Sequence, residues 1–90
     1  MCGINGFNFL DKSKIQKMMT LTENRGPDAK GIFESENMTL GHNRLSIIDL
    51  STAANQPLTD DNLTIIFNGE IYNYKSLREK LLLKGVNFKT

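Results

Sequence analysis

Two runs of β-forming residues, 31–35 and Met38–Arg44, are separated only by Glu36-Asn37. A link that short reads as a tight turn between two strands. Within the second run Leu40, His42 and Arg44 share one face, and Thr39, Gly41 and Asn43 share the other. Arg44 comes at the exit of its strand, where side chains commonly line a site. The chain has a single cysteine, Cys2, so no internal disulfide can brace these strands and no thiolate cluster can form around a metal. The strands must therefore be held by packing, in a chain of 90 residues that is long enough for one small domain with a modest core.

The remaining elements follow from periodicity and turn chemistry. Ile4, Phe7 and Phe9 alternate with small or polar residues over 3–9, which predicts a short strand. Asp11 or Ser13 can cap a helix whose inner face carries Ile15, Met18 and Met19 and which ends near Asn24. Arg25-Gly26-Pro27-Asp28 is loop chemistry. Residues 51–57 read as a polar loop and 59–62 as a turn, and the paired acids Asp60 and Asp61 are a solvated feature rather than a metal site. Residues 63–67 read as a buried strand ending at Asn68-Gly69. Asn73 can cap a second helix over 74–84, with Leu77, Leu81 and Leu82 as its buried stripe and Gly85 beyond its end. Val86-Asn87-Phe88 predicts the start of a further strand, which the chain leaves barely begun; the expectation is a truncated domain.

Charge and hydropathy exclude several classes. The formal net charge is +1, with acids and bases interspersed, so there is no electrostatic footprint for nucleic acid or for an anionic membrane. No apolar run approaches the roughly 18 residues of a membrane span, and the start of the chain lacks the pattern of a secretory signal. With one cysteine, these features point to a reducing, cytoplasmic setting. His42 stands without metal-ligand partners at suitable spacing and reads as a hydrogen-bonded strand residue rather than a base or ligand.

Cys2 directly follows Met1. Once Met1 is removed, its thiol shares a residue with a free α-amino group, whose ordinary pKa of about 7.7–8 leaves a useful neutral fraction. Such an amine can take the thiol proton, directly or through one water, which makes the residue a nucleophile and base together. Position alone leaves a second reading open, in which the side chain packs as a small hydrophobe.

Four blocks, in order, carry a resemblance: Met1-Cys2-Gly3-Ile4, Arg25-Gly26-Pro27-Asp28, Gly41-His42-Asn43-Arg44-Leu45-Ser46-Ile47-Ile48-Asp49 and Asn68-Gly69-Glu70-Ile71-Tyr72-Asn73-Tyr74. Together they resemble the N-terminal glutaminase domain of class II glutamine amidotransferases. The run Arg44-Leu45-Ser46-Ile47-Ile48-Asp49 is most similar to the branch of glutamine-hydrolysing asparagine synthetases. The resemblance implies an α+β fold, the αββα sandwich of N-terminal-nucleophile hydrolases, of which residues 1–90 would be the N-terminal part. It implies glutamine as substrate, Cys2 as nucleophile, and Asn68 and Gly69 as oxyanion donors. It implies a glutamine pocket made by Arg44, Leu45, Ser46, Ile47, Ile48, Asn68, Gly69 and Glu70. A further aspartate for the substrate α-amino group is expected beyond Thr90. The glutaminase part would need no cofactor. ATP and Mg²⁺ are implied for a synthetase domain absent from this chain, which would accept the ammonia and amidate aspartate. Two alternatives remain: an inactive remnant of such a domain, and an amidotransferase of a cell-surface sugar or peptide pathway with another acceptor.

Overall fold

The computed structural model describes residues 2–46 and 51–88. They form a small α+β fold: a three-stranded sheet with a helix on one face, followed by a two-stranded hairpin and a second helix. The first sheet contains β1 (Gly3–Phe7), β2 (Ala29–Ser35) and β3 (Met38–Arg44) in the order β1-β3-β2, with both neighbouring pairs antiparallel. Ser35 pairs with Met38, so Glu36 and Asn37 make the tight turn. Their central partner, β3, is the most buried strand: Thr39 and residues 41–44 are all buried.

Helix α1 (Lys12–Leu21) lies between β1 and β2 in the chain. Asp11 is its N-cap: the carboxylate accepts from the Lys14 N–H at 3.0 Å and from the Ser13 hydroxyl at 3.2 Å. The expected inner face is present, with Ile15 and Met19 buried and Met18 half-buried. It rests on the Thr39–Gly41–Asn43 face of β3. A Cβ on Gly41 would come within 2.6 Å of Met19 Sδ and 2.9 Å of Ile15 Cγ1, so the absent side chain is what lets the helix dock. Asn43 adds a polar fastening: its side-chain amide donates to the Met19 carbonyl at 3.2 Å and accepts from the Thr22 hydroxyl at 2.8 Å. Thr22 closes the helix, and a 3₁₀ turn (Glu23–Arg25) leads into the Gly26-Pro27 loop. The helix proper is therefore shorter than the expectation of an end near Asn24.

The second half departs further from the sequence reading. β4 (Leu58–Asp60) and β5 (Leu63–Ile65) form an antiparallel hairpin around Asp61-Asn62, so the turn expected over 59–62 is tighter than its sequence suggests. Asp61 takes a positive φ of 45°, which a short polar side chain tolerates. β5 stops two residues before Phe67, because the Phe67 peptide groups bond to side chains of Gln56 and His42 instead of to a ladder. Helix α2 (Tyr74–Leu83) forms where expected, and Gly85 follows it at φ 87°. Asn73 sits at the cap position, but its side chain makes no capping bond; the Ser76 hydroxyl donates to the Asn73 carbonyl at 3.3 Å instead. The expected buried stripe is not buried: Leu77, Leu81 and Leu82 are 40%, 39% and 50% exposed. No element among the described residues packs extensively against α2, so its apolar face has nothing to bury against. Residues 86–88 form no strand, and Phe88 packs its ring under the Arg78 guanidinium at 4.5 Å.

Candidate active site around Cys2 and Arg44

The β1–β3 register brings the first and third sequence blocks together. Gly3 pairs with Asn43, so Cys2 and Arg44 are the residues just beyond that pair, at one end of the sheet. The Leu45 main-chain N–H donates to Cys2 Sγ at 3.3 Å, and the Cys2 thiol lies 3.7 Å from the Leu45 carbonyl. Cys2 is half-buried and unpaired to any other cysteine.

Arg44 is 7% exposed, and its Nη1 donates to the Ser51 carbonyl and to Asn55 Oδ1, both at 2.6 Å. Both acceptors are neutral, and no carboxylate pairs with Arg44 among the described residues. A buried guanidinium is ordinarily matched by an acid. Among the described residues Nη2 and Nε have no partner, and together they could make a forked contact with a carboxylate group. Asp28 supports the same segment from outside: its N–H donates to the Arg44 carbonyl at 2.9 Å, and its carboxylate accepts from the Ser46 N–H at 2.8 Å. The Arg25-Gly26-Pro27-Asp28 loop thus holds the main chain on either side of Leu45.

Asn68 and Gly69 approach from the other half of the chain. His42 pairs with Ile4 in the sheet, two residues from Cys2, and its Nε2 lies 3.3 Å from the Phe67 carbonyl. Asn68 follows Phe67 directly and is half-buried; Gly69 and Glu70 are exposed in the bend before α2. Direct contacts join Cys2 to Leu45 and Asp28 to Ser46, whereas among the described residues Asn68-Gly69 is linked to this group through Phe67, by way of His42 and Gln56. Ile47 and Ile48, also expected in the pocket, lie outside the described residues.

His42 is the hydrogen-bonded strand residue its sequence context predicts. A carbonyl can only accept, so Nε2 carries the proton, and Nδ1 is buried without a partner among the described residues. Burial pulls the imidazole below its ordinary value, the bond to Phe67 opposes that, and the Arg44 charge reinforces it. On balance the charged form of the ring is disfavoured. Three supporting residues escape a sequence reading: Ser51, Asn55 and Gln56 all fall in a stretch that reads only as a polar loop. The single signal for Asn55 is indirect, since a buried Arg44 must find acceptors somewhere. A cavity of about 460 Å³ lies elsewhere, between α1 and β2 beside Gln16, Met19, Lys30 and Ile32.

A family model described as a glutamine amidotransferase domain matches residues 1–90. The chain belongs to the glutamine amidotransferase domain family. Among its relatives is asparagine synthetase (glutamine-hydrolysing) 1 of Bacillus subtilis, 45% identical over all of this chain and 16% of its own length. A putative asparagine synthetase (glutamine-hydrolysing) 2 of Methanocaldococcus jannaschii is 40% identical, over 93% of this chain and 21% of its own length. Amidase chyE of Penicillium rubens is 41% identical, over 76% of this chain and 10% of its own length. The chain thus spans about a fifth or less of the curated relatives it matches. No helix among the described residues is long and apolar enough to cross a membrane, and no cluster of three or more His, Cys, Asp or Glu side chains among them could hold a metal ion.

Proposed function

We propose that this amidotransferase domain hydrolyses glutamine at Cys2 and supplies the ammonia for an ATP-dependent amidation, with aspartate as the acceptor. The observation that carries the reading is the Leu45 N–H on Cys2 Sγ beside a buried Arg44 that lacks an acid partner among the described residues. A nucleophile and a carboxylate receptor one residue from its hydrogen-bond donor suit an amino acid bound by its carboxylate end. Family membership and the named asparagine synthetases support the substrate and the acceptor.

In this reading Met1 is removed and the Cys2 α-amine takes the thiol proton. The sulfur lone pair forms a bond to the glutamine side-chain carbon as the carbonyl π pair moves to oxygen. Asn68, through its side-chain amide, and Gly69, through its N–H, donate to that oxyanion; one such donor contributes roughly 3–4 kcal/mol to a transition state of this kind. Collapse breaks the C–N bond, and ammonia leaves with the proton held by the α-ammonium. Water then adds to the γ-glutamyl thioester, the C–S bond breaks, and glutamate departs. Arg44 holds the substrate α-carboxylate, while Leu45, Ser46, Ile47, Ile48 and Glu70 complete the pocket. ATP and Mg²⁺ act, in this reading, in a synthetase domain, and no residue of this chain is assigned to them.

The fold belongs, in the same reading, to the αββα sandwich. In support, α1 covers only one face of the first sheet, and the opposite face carries the site and exposes Ile4. Two relatives are named amidases rather than synthetases. A second reading therefore keeps the glutaminase chemistry and changes the ammonia acceptor. Steady-state assays decide: glutamate release from glutamine that Cys2→Ala abolishes supports the glutaminase. Asparagine formation from aspartate and ATP then separates the two acceptor readings.

A further inference from the structure

The Phe67 peptide is held from two sides just before Asn68-Gly69. His42 Nε2 donates to its carbonyl at 3.3 Å, and Gln56 Oε1 accepts from its N–H at 2.6 Å. Neither holder is free to wander. His42 is fully buried in the central strand β3, one residue from Arg44's neighbour Asn43 and paired with Ile4 of β1 and Gly31 of β2. The Gln56 main chain sits directly on Gly31: a Cβ there would come within 2.1 Å of the Gln56 carbonyl oxygen. The two holders are thus referenced to the same rung of the first sheet, His42–Gly31, and that rung also fixes β1 below Cys2. The chemistry proposed for Cys2 uses neither side chain.

We propose that His42 and Gln56 are positioning residues that clamp the Phe67 peptide and thereby set Asn68 and Gly69 relative to Cys2. The proposal rests on the glutaminase reading. It accounts for a buried imidazole with one nitrogen committed to a carbonyl. It also accounts for the end of β5 before Phe67, since both Phe67 peptide groups are engaged by side chains. Clamping matters because a displacement of about 1 Å in a catalytic group costs on the order of 100-fold in rate. Ground-state binding through Arg44 does not pass through this peptide.

The test compares glutamine hydrolysis by the protein from its full reading frame with His42→Leu, His42→Gln, Gln56→Leu and Gln56→Glu. The Gln side chain at 42 retains a donor, and the Glu side chain at 56 retains an acceptor. The clamp predicts kcat about 10- to 100-fold lower in both Leu variants, with KM for glutamine changed by less than about twofold. It predicts recovery to within about fivefold in His42→Gln and Gln56→Glu. Gln56 is half-buried, so Gln56→Leu keeps the test decisive if His42→Leu fails to fold. A folded Gln56→Leu with parental kcat, or one that changes only KM, overturns the clamp. A parent with no glutaminase activity overturns the glutaminase reading and the clamp with it, and the two failures are thereby told apart.

Discussion

The Leu45 main-chain N–H donates to Cys2 Sγ across 3.3 Å, joining residues 43 positions apart. Antiparallel pairing of β1 with β3 is what spans that interval, and the Asp28 contacts to Arg44 and Ser46 hold the Leu45 peptide in place. Cys2→Ala is expected to remove glutamine hydrolysis to background while changing unfolding free energy by less than about 1 kcal/mol, because Cys2 is only half-buried. Parallel assays of glutamate release and urea unfolding check both halves.

Arg44 and Asn68 are expected to separate in kinetics. Arg44→Ala removes a charge-assisted contact made in ground and transition state alike, and should raise KM about 10- to 100-fold. Asn68→Ala removes a donor used by the oxyanion, and should lower kcat about 100- to 1,000-fold with little change in KM. The opposite pattern would exchange their roles. Asn55→Ala should raise KM less than Arg44→Ala, since it frees a guanidinium that remains present.

Docking of α1 depends on the bare Cα of Gly41. Gly41→Ala forces a methyl group into the space of Met19 and Ile15 and should destabilise the fold by about 1–3 kcal/mol. Met19→Ala in the same chain opens room for that methyl, so the double variant should lose less than the sum of the singles. Denaturant midpoints of the four proteins close the cycle.

His42 gives stability a defined pH dependence. Burial holds its folded-state value below the ordinary 6.5, so between those values the unfolded chain binds a proton that the folded chain does not. Stability therefore rises with pH through that window. The contribution is fully present above about pH 6.5 and is lost as pH falls through the folded-state value. Urea unfolding at about pH 7.5 and about pH 5.5 should show a drop that is smaller in His42→Gln. An equal drop in both proteins would assign the dependence to other groups.

The first half of the chain was legible because its signals are local and its partners are present. The Glu36-Asn37 turn, the Asp11 cap and the Ile15–Met19 face each depend on a few neighbouring residues, and Gly41 accepts that face on β3. The second half was less legible for the opposite reason. Leu77, Leu81 and Leu82 form a regular helical stripe, yet periodicity states only which side is apolar, not what covers it. Phe67 belongs to a β-rich run but leaves the strand because Gln56 and His42 compete for its peptide, and no local pattern announces that competition. At the site, residue types and order pointed to Cys2, Arg44 and Asn68, whereas the neutral acceptors of Arg44 emerge only in three dimensions.

The most direct test of the central claim is the intact mass of the protein before and after exposure to a glutamine-mimicking diazoketone. The account predicts a chain beginning at Cys2 that gains one adduct, located on Cys2 by peptide mapping. Excess glutamine should suppress it, and Cys2→Ala should not form it. An adduct on another residue, or labelling of Cys2 that glutamine leaves unchanged, would contradict a glutamine pocket built around this cysteine.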